Sequence, residues 1–282
     1  MAVSTISVVL SVYNGEQYLR DSVTSILRQT YQGYEFIIIN DGSTDRTSEI
    51  LNTYKGDPRI RVVNNPVNIG LTRSLNKAIS TAQGRYIARM DVDDISLPER
   101  FQKQLEFMER SPDIGVVGTS YYDIEDDGKK MGEIILPIKD NQIRRAMTKF
   151  NPFNHSSVMI RSQALKEVGS YDEKLIYSQD YELWFRILNR YRGHNLPEKL
   201  LLKRNPKGSI TVAIKRKQLY YSLMAWRMGR RHISNSIMDY RYYLRLKLMY
   251  LIPSFMIPIL RNAFTRQRCR RQNRYYVVNL VP

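Results

Sequence analysis

Three aspartates, Asp91, Asp93 and Asp94, stand together in the stretch ARMDVDDISLPER (residues 88–100), directly behind a short apolar run. Carboxylates this close repel one another, so a folded chain needs a reason to hold them together. In extended backbone, residues i and i+2 point the same way. Asp91 and Asp93 are therefore expected to converge on one ion, with Asp94 turned away to accept backbone hydrogen bonds. Mg²⁺ or Mn²⁺ suits such a pair, because either takes one or two carboxylates and fills its shell with water and substrate phosphates. The competing reading is a cap, with Asp94 or Ser96 at the start of a helix entered near Pro98.

Three further stretches bear on that choice. SVYNGEQYL follows one apolar run and NDGSTD the next. Tyr13 can pack on a base or ribose, and Asp41 can accept the N3–H of a uracil. In the plainer alternative Asp41 is a turn residue before Gly42, and Ser43 or Asp45 is an N-cap. Arg73, in NIGLTRSLNKA, sits near a helix N-terminus, where backbone N–H groups and a guanidinium together suit a pyrophosphate. As a solvated helix residue it needs no ligand. His155, in NPFNHSSVMI, is either an acceptor-pocket residue or a hydrogen-bonded histidine at a strand start. Trp184, Phe185 and Ile187 fit helix packing alone.

The elements that carry these residues alternate. ISVVLSVY, YEFIIIN, RIRVVNN and GRYIARM are short, apolar, β-branched runs of the kind buried on both faces of a parallel sheet. Between them EQYLRDSVTSILRQT, DRTSEILNTYKG and LTRSLNKAISTAQG have helical apolar spacing. Gly56 and Gly84 fall where C-caps are expected. This βαβαβαβ pattern predicts a doubly wound sheet with its ligand outside the carboxyl ends of the strands. A helix entered through Pro98 follows, then two strands around an Asp-Gly turn within residues 115–136. Next come a buried strand in NHSSVMI, the amphipathic helix SQDYELWFRILNRY and a last strand in LPEKLLLKR.

Charge divides the chain. Residues 1–198 hold 25 Lys/Arg against 26 Asp/Glu, whereas residues 199–282 hold 19 Lys/Arg and a single acid, Asp239. A basic arm on a neutral body implies a polyanionic partner, a membrane surface or nucleic acid. Its longest uncharged run, LMYLIPSFMIPIL (248–260), contains two prolines and falls short of the roughly 20 residues of a spanning helix. An interfacial segment is the expectation, with Trp226 and the tyrosines among the headgroups. A single cysteine, Cys269, excludes an internal disulfide and fits a reducing compartment. The N-terminus has no basic n-region, so no signal peptide is expected.

Taken in order, SVVLSVYNGEQYLRDSVTSILRQTY, FIIINDGSTDRT, NIGLTRSLNKAI, GRYIARMDVDD and SQDYELWFRI resemble family 2 glycosyltransferases. The resemblance covers residues 5–210 or so. It implies the GT-A fold, α/β with a Rossmann-like mixed sheet flanked by helices, and leaves the basic helical C-terminal extension outside. The implied organisation is a nucleotide-sugar half over 1–110, an acceptor half over 111–210 and a membrane-associating extension over 211–282. It assigns Ser11, Tyr13, Glu16 and Asp41 to the uridine and Arg73 to the diphosphate. Asp91 and Asp93 go to a Mn²⁺ or Mg²⁺ ion and the sugar nucleotide, and Asp180 is the base. His155 and Gln179 fall to the acceptor pocket.

The implied reaction is inverting transfer from a nucleotide-diphosphate sugar, expected to be a UDP-sugar. The implied acceptor is a saccharide linked to a polyprenyl diphosphate, in O-antigen, capsule or exopolysaccharide synthesis. An α-linked donor would give a β-linked product at the cytoplasmic face of the membrane, with no nucleic acid involved. Two departures stand out: Gln179 where relatives commonly carry an acid, and KRNPKGSIT where many carry a histidine. They keep open a non-catalytic sugar-nucleotide binder, and the basic arm keeps open a nucleic-acid-binding protein.

Overall fold

The computed structural model describes residues 5–204, 212–229 and Leu244. The first half alternates as its apolar runs predict: β1 (Ile6–Val12), α1 (Leu19–Leu27), β2 (Tyr34–Asn40), α2 (Thr47–Asn52), β3 (Ile60–Asn64), α3 (Leu71–Ser80) and β4 (Tyr86–Arg89). The second half holds β5 (Ile95–Ser96), α4 (Arg100–Glu109), β6 (Ile114–Ile124), β7 (Lys130–Ile134) and α5 (Asp140–Met147). After these come β8 (Met159–Arg161), α6 (Ser162–Val168), α7 (Gln179–Arg190), β9 (Arg192–Arg204) and α8 (Val212–Gly229).

One nine-stranded sheet runs in the order β3-β2-β1-β4-β8-β6-β9-β5, with β7 pairing β6. Strands β1 to β4 are mutually parallel, β8 runs antiparallel to β4 and β6, and β9 is parallel to β6. The sheet is therefore mixed, as expected for the GT-A fold. Every residue of β1 is buried, because helices cover both faces. On one face Val8 and Leu10 pack with Val23 and Ile26 of α1 and Phe101 of α4. On the other, Val9, Ile37 and Ile39 pack with Leu75 of α3 and Trp184 of α7.

Several expectations are corrected. α2 and α3 end at Thr53 and Thr81, not at Gly56 and Gly84. Gly84 instead lets the chain approach the β1 backbone, since a Cβ there would lie 2.5 Å from the Ser7 nitrogen. α4 starts at Arg100 with no side-chain cap. Asp94 accepts the Arg204 N–H at 2.9 Å and the Ser96 hydroxyl accepts from Gln29, so the capping reading of these two residues fails. The strand expected at NHSSVMI is a short 3-10 turn, His155–Ser157, followed by the three residues of β8. Trp226 is 1% exposed within the core beside α7, so it does not reach headgroups. His232, the 248–260 run and Cys269 lie outside the described residues. No helix among the described residues is long and apolar enough to cross a membrane.

Candidate active site

Four loops leave the carboxyl ends of β1 to β4 along one edge, and hydrogen bonds lock them together. Asn14, in a left-handed conformation (φ 50°), accepts the Thr44 N–H at 2.8 Å. The Gly15 N–H donates to Thr47 Oγ1 and the Glu16 N–H to Asp45 Oδ2. Glu16 accepts the Arg46 N–H at 3.0 Å and so braces the start of α2. Asp41 is 2% exposed and joins the second loop to the third: it accepts from Asn65 and from the Ile69 and Gly70 N–H groups, at 2.8, 3.0 and 2.9 Å. Gly42 (φ 70°) is required there, since a Cβ would lie 2.5 Å from the Val67 backbone. Ser11 is buried at the end of β1, while Tyr13 stands 49% exposed on the lip of the cleft. Arg73 is exposed on the first turn of α3 and pairs with Glu173 at 3.4 Å.

The acidic stretch follows the carboxyl end of β4, as expected, but it is a turn rather than extended backbone. Residues 92 and 93 form it, with the Asp94 N–H directed at the Asp91 carbonyl. Asp91 and Asp93 are electrostatic neighbours across this turn, and the extended backbone expected to align them is not present. The Asp91 N–H donates to Ser156 Oγ at 2.9 Å, and Ser22 Oγ donates to the Asp91 carbonyl at 3.1 Å. Burial works against its charge, but the Arg89 guanidinium overrides this and holds the Asp91 carboxyl below its ordinary value. Burial, then the Asp91 charge, pushes Asp93 up to about 6. Burial, then Asp93 and Asp91, pushes Asp94 up to about 8.

From the second half of the chain, α7 presents Asp180 in its first turn, where Oδ2 accepts from Asn151 at 2.6 Å. Ser178, just before the helix, adopts a left-handed backbone (φ 58°), and its hydroxyl meets that of Ser222 on α8 at 2.8 Å. Gln179 is buried beside it. Between the two acidic groups lies His155, with Nε2 2.7 Å from the Tyr171 hydroxyl. Both Asp91 and Asp180 act on this His–Tyr pair. Burial, then Arg89, presses the imidazole down to about 4, leaving it neutral at pH 7. The hydrogen-bonded reading of His155 thus describes what the structure contains.

Besides Arg89, sequence reasoning missed three further cations around the turn. Arg204 clasps it from β9: Nε donates to the Asp93 carbonyl at 3.0 Å, and Nη2 pairs with Asp21 at 3.2 Å. Its guanidinium also donates to the Asp126 carbonyl and lies over the Tyr18 ring. Arg100, buried beneath, donates to the Ser156 and Arg89 carbonyls. Lys203 faces Asp91, Asp93 and Asp94 as a positive charge, in the very stretch noted for lacking a histidine. Only that stretch's basic character gave a signal.

The residues present fit a divalent cation. Among the described residues no cluster of three His, Cys, Asp or Glu side chains is arranged to hold a metal without help. Asp91 and Asp93 offer two carboxylates whose repulsion a cation would relieve, which suits Mg²⁺ or Mn²⁺ completed by phosphate oxygens. Asp180 offers a separate carboxylate able to accept a proton.

The family model described as Glycosyl transferase family 2 matches residues 7–169. The "Uncharacterized glycosyltransferase MJ1057" of Methanocaldococcus jannaschii is 36% identical over 267 residues, covering 90% of this chain and 92% of that protein. The amylovoran biosynthesis glycosyltransferase AmsE of Erwinia amylovora is 33% identical, with 86% of each chain covered. The O-antigen biosynthesis glycosyltransferase WbnJ of Escherichia coli is 36% identical, covering 70% of this chain and 78% of its own. Among solved structures, the mannosyltransferase PcManGT from Pyrobaculum calidifontis in complex with GDP-Man and Mn²⁺ aligns with a TM-score of 0.65 at 16% identity, over 95% of this chain and 76% of that one. Staphylococcus aureus TarS in complex with UDP-GlcNAc aligns with a TM-score of 0.63 at 16% identity, over 86% and 79%.

Proposed function

The chain belongs to glycosyl transferase family 2, and on that premise we propose that it moves a sugar from a nucleotide-diphosphate donor, a UDP-sugar, to a hydroxyl of a lipid-linked saccharide. The observation that carries this reading is that Asp91, in the turn after β4, and Asp180, at the start of α7, both act on the hydrogen-bonded His155–Tyr171 pair. The donor half spans 1–110 and the acceptor half 111–210, with the basic extension over 211–282. Ser11, Tyr13, Glu16 and Asp41 line the nucleoside side, although Glu16 and Asp41 meet it with oxygens already bonded to backbone. Arg73 serves the diphosphate. Asp91 and Asp93 hold the divalent cation, which when bound supplies charge neutralisation for the departing diphosphate.

Asp180 takes the proton of the attacking acceptor hydroxyl, worth about 10²–10⁴ in rate for a well-set carboxylate. Asn151 orients it for that task. Attack opposite the leaving group inverts the anomeric centre, so an α-linked donor yields a β-linked product. Gln179 and His155 border the acceptor side.

Relatives named for amylovoran and O-antigen biosynthesis support a cell-surface glycan as the product. The neighbour solved with Mn²⁺ supports the cation, and the one solved with UDP-GlcNAc supports the nucleotide class. Lys and Arg of the extension, each worth about 1 kcal/mol at an anionic leaflet, keep enzyme and lipid-linked acceptor on one surface, the inner face of the membrane. The test is a panel of UDP- and GDP-sugars with a lipid-linked acceptor, with and without Mn²⁺. Metal-dependent transfer from one UDP-sugar is expected. Nucleotide binding without transfer to any acceptor would reduce the protein to a binder and overturn the proposal.

A further inference from the structure

Arg89 is the last residue of β4 and is 0% exposed. A guanidinium carries five N–H donors. Here Nη2 donates to Asp91 Oδ1, while Nε and Nη1 are buried with no acceptor among the described residues. Arginine is fully buried almost only when paired, and leaving its donors unmet is costly. A methionine would fill the end of the strand without that cost. Packing therefore does not account for the charge.

Its one side-chain partner does. Hydrogen bonds from Ser22 and to Ser156 fix the Asp91 backbone, but neither touches the carboxylate. Among the described residues Arg89 is the one side chain bonded to Oδ1, and it is fully buried while the Asp91 side chain is 33% exposed. The Asp93 carboxylate receives no side-chain hydrogen bond among the described residues, so the two members of the pair are held differently. The Arg100 guanidinium, in turn, donates to the Arg89 carbonyl and keeps the strand end in place.

We infer that Arg89 is a positioning residue: it locks one oxygen of Asp91 from below, so that the other meets the sugar nucleotide already aimed. This rests on the donor site proposed above. It states that Arg89 acts through Asp91 and not through the stability of the fold.

A double-mutant cycle of Arg89→Met, Asp91→Asn and the pair tests it, read by calorimetric affinity for UDP with Mn²⁺, by donor KM and kcat, and by thermal midpoint. Arg89→Met is expected to weaken nucleotide affinity and raise donor KM about tenfold, with the midpoint unchanged or higher. In the Asp91→Asn background the same substitution should cost no more than about twofold, because the partner it served is gone. Equal losses in both backgrounds, or an unchanged affinity with a lowered midpoint, would make Arg89 structural and overturn the inference. Should Arg89→Met not fold, Arg89→Lys, which keeps the charge and loses the planar fork, must still raise donor KM in the native background only. A wild-type protein that neither binds UDP nor transfers sugar refutes the underlying function, a different outcome from additivity in the cycle.

Discussion

Asn151 holds Asp180 by one oxygen, Oδ2, at 2.6 Å in the first turn of α7. Asp180→Asn keeps the shape and the helix start, so nucleotide affinity should persist while transfer falls about 10²–10⁴-fold. Steady-state rates beside calorimetry check this, and near-normal turnover would remove Asp180 from the base role. His155 makes a second case, because burial and then Arg89 press its imidazole to about 4, below the 6.5 of the unfolded chain. Between those values the unfolded form binds a proton that the native form does not. The stabilising contribution is thus complete above about pH 6.5 and drains away as the pH falls toward 4. Urea midpoints at pH 5 and 7.5 should differ less in His155→Gln than in the native protein; an equal pH dependence would contradict this. Asp91 and Asp93 stand out in the sequence because adjacent like charges do, yet the backbone that carries them is a turn and not the extended strand that the alternation argument assumed. Arg89, Lys203 and Arg204 were not legible. Lys203 and Arg204 owe their place at the turn to the pairing of β9 with β5 across the sheet, which residue types alone do not reveal, whereas Arg89 stands only two residues before Asp91.

Helix α8 packs on α7 through Ala225 and Trp226, 0% and 1% exposed. Gly229 ends the contact, since a Cβ there would come within 2.5 Å of three atoms of the Phe185 side chain. Gly229→Ala should therefore overpack the joint and cost about 1–3 kcal/mol, and Trp226→Ala about 3–5 kcal/mol, both measured by denaturant unfolding. Losses below half a kcal/mol would mean that the joint contributes little. The long parallel strands were legible because burial on both faces leaves unbroken β-branched runs. α5 and α6 span only eight and seven residues, too short a window to announce a helix, and β5 is only two residues. Gly84 misled because a glycine admitted for close approach of two backbones looks, in one dimension, like a helix stop.

On the scale of the molecule, the positive charge gathers at one end of the chain. Residues 212–229 complete the fold, whereas 230–282 still carry 11 Lys/Arg. Cutting after 229 should leave the thermal midpoint nearly intact and abolish salt-sensitive flotation with anionic vesicles; cutting after 210 should also lower the midpoint by uncovering α7. Unchanged flotation of the shorter chain would reject the anchor. The left-handed Ser178, two residues before Asp180, touches Ser222 through their hydroxyls. Should a bilayer hold the tail, as proposed, this contact would give it a handle on the start of the helix that carries Asp180. Turnover of a water-soluble acceptor should quicken when anionic vesicles are added, and a rate indifferent to them would show that the handle is slack.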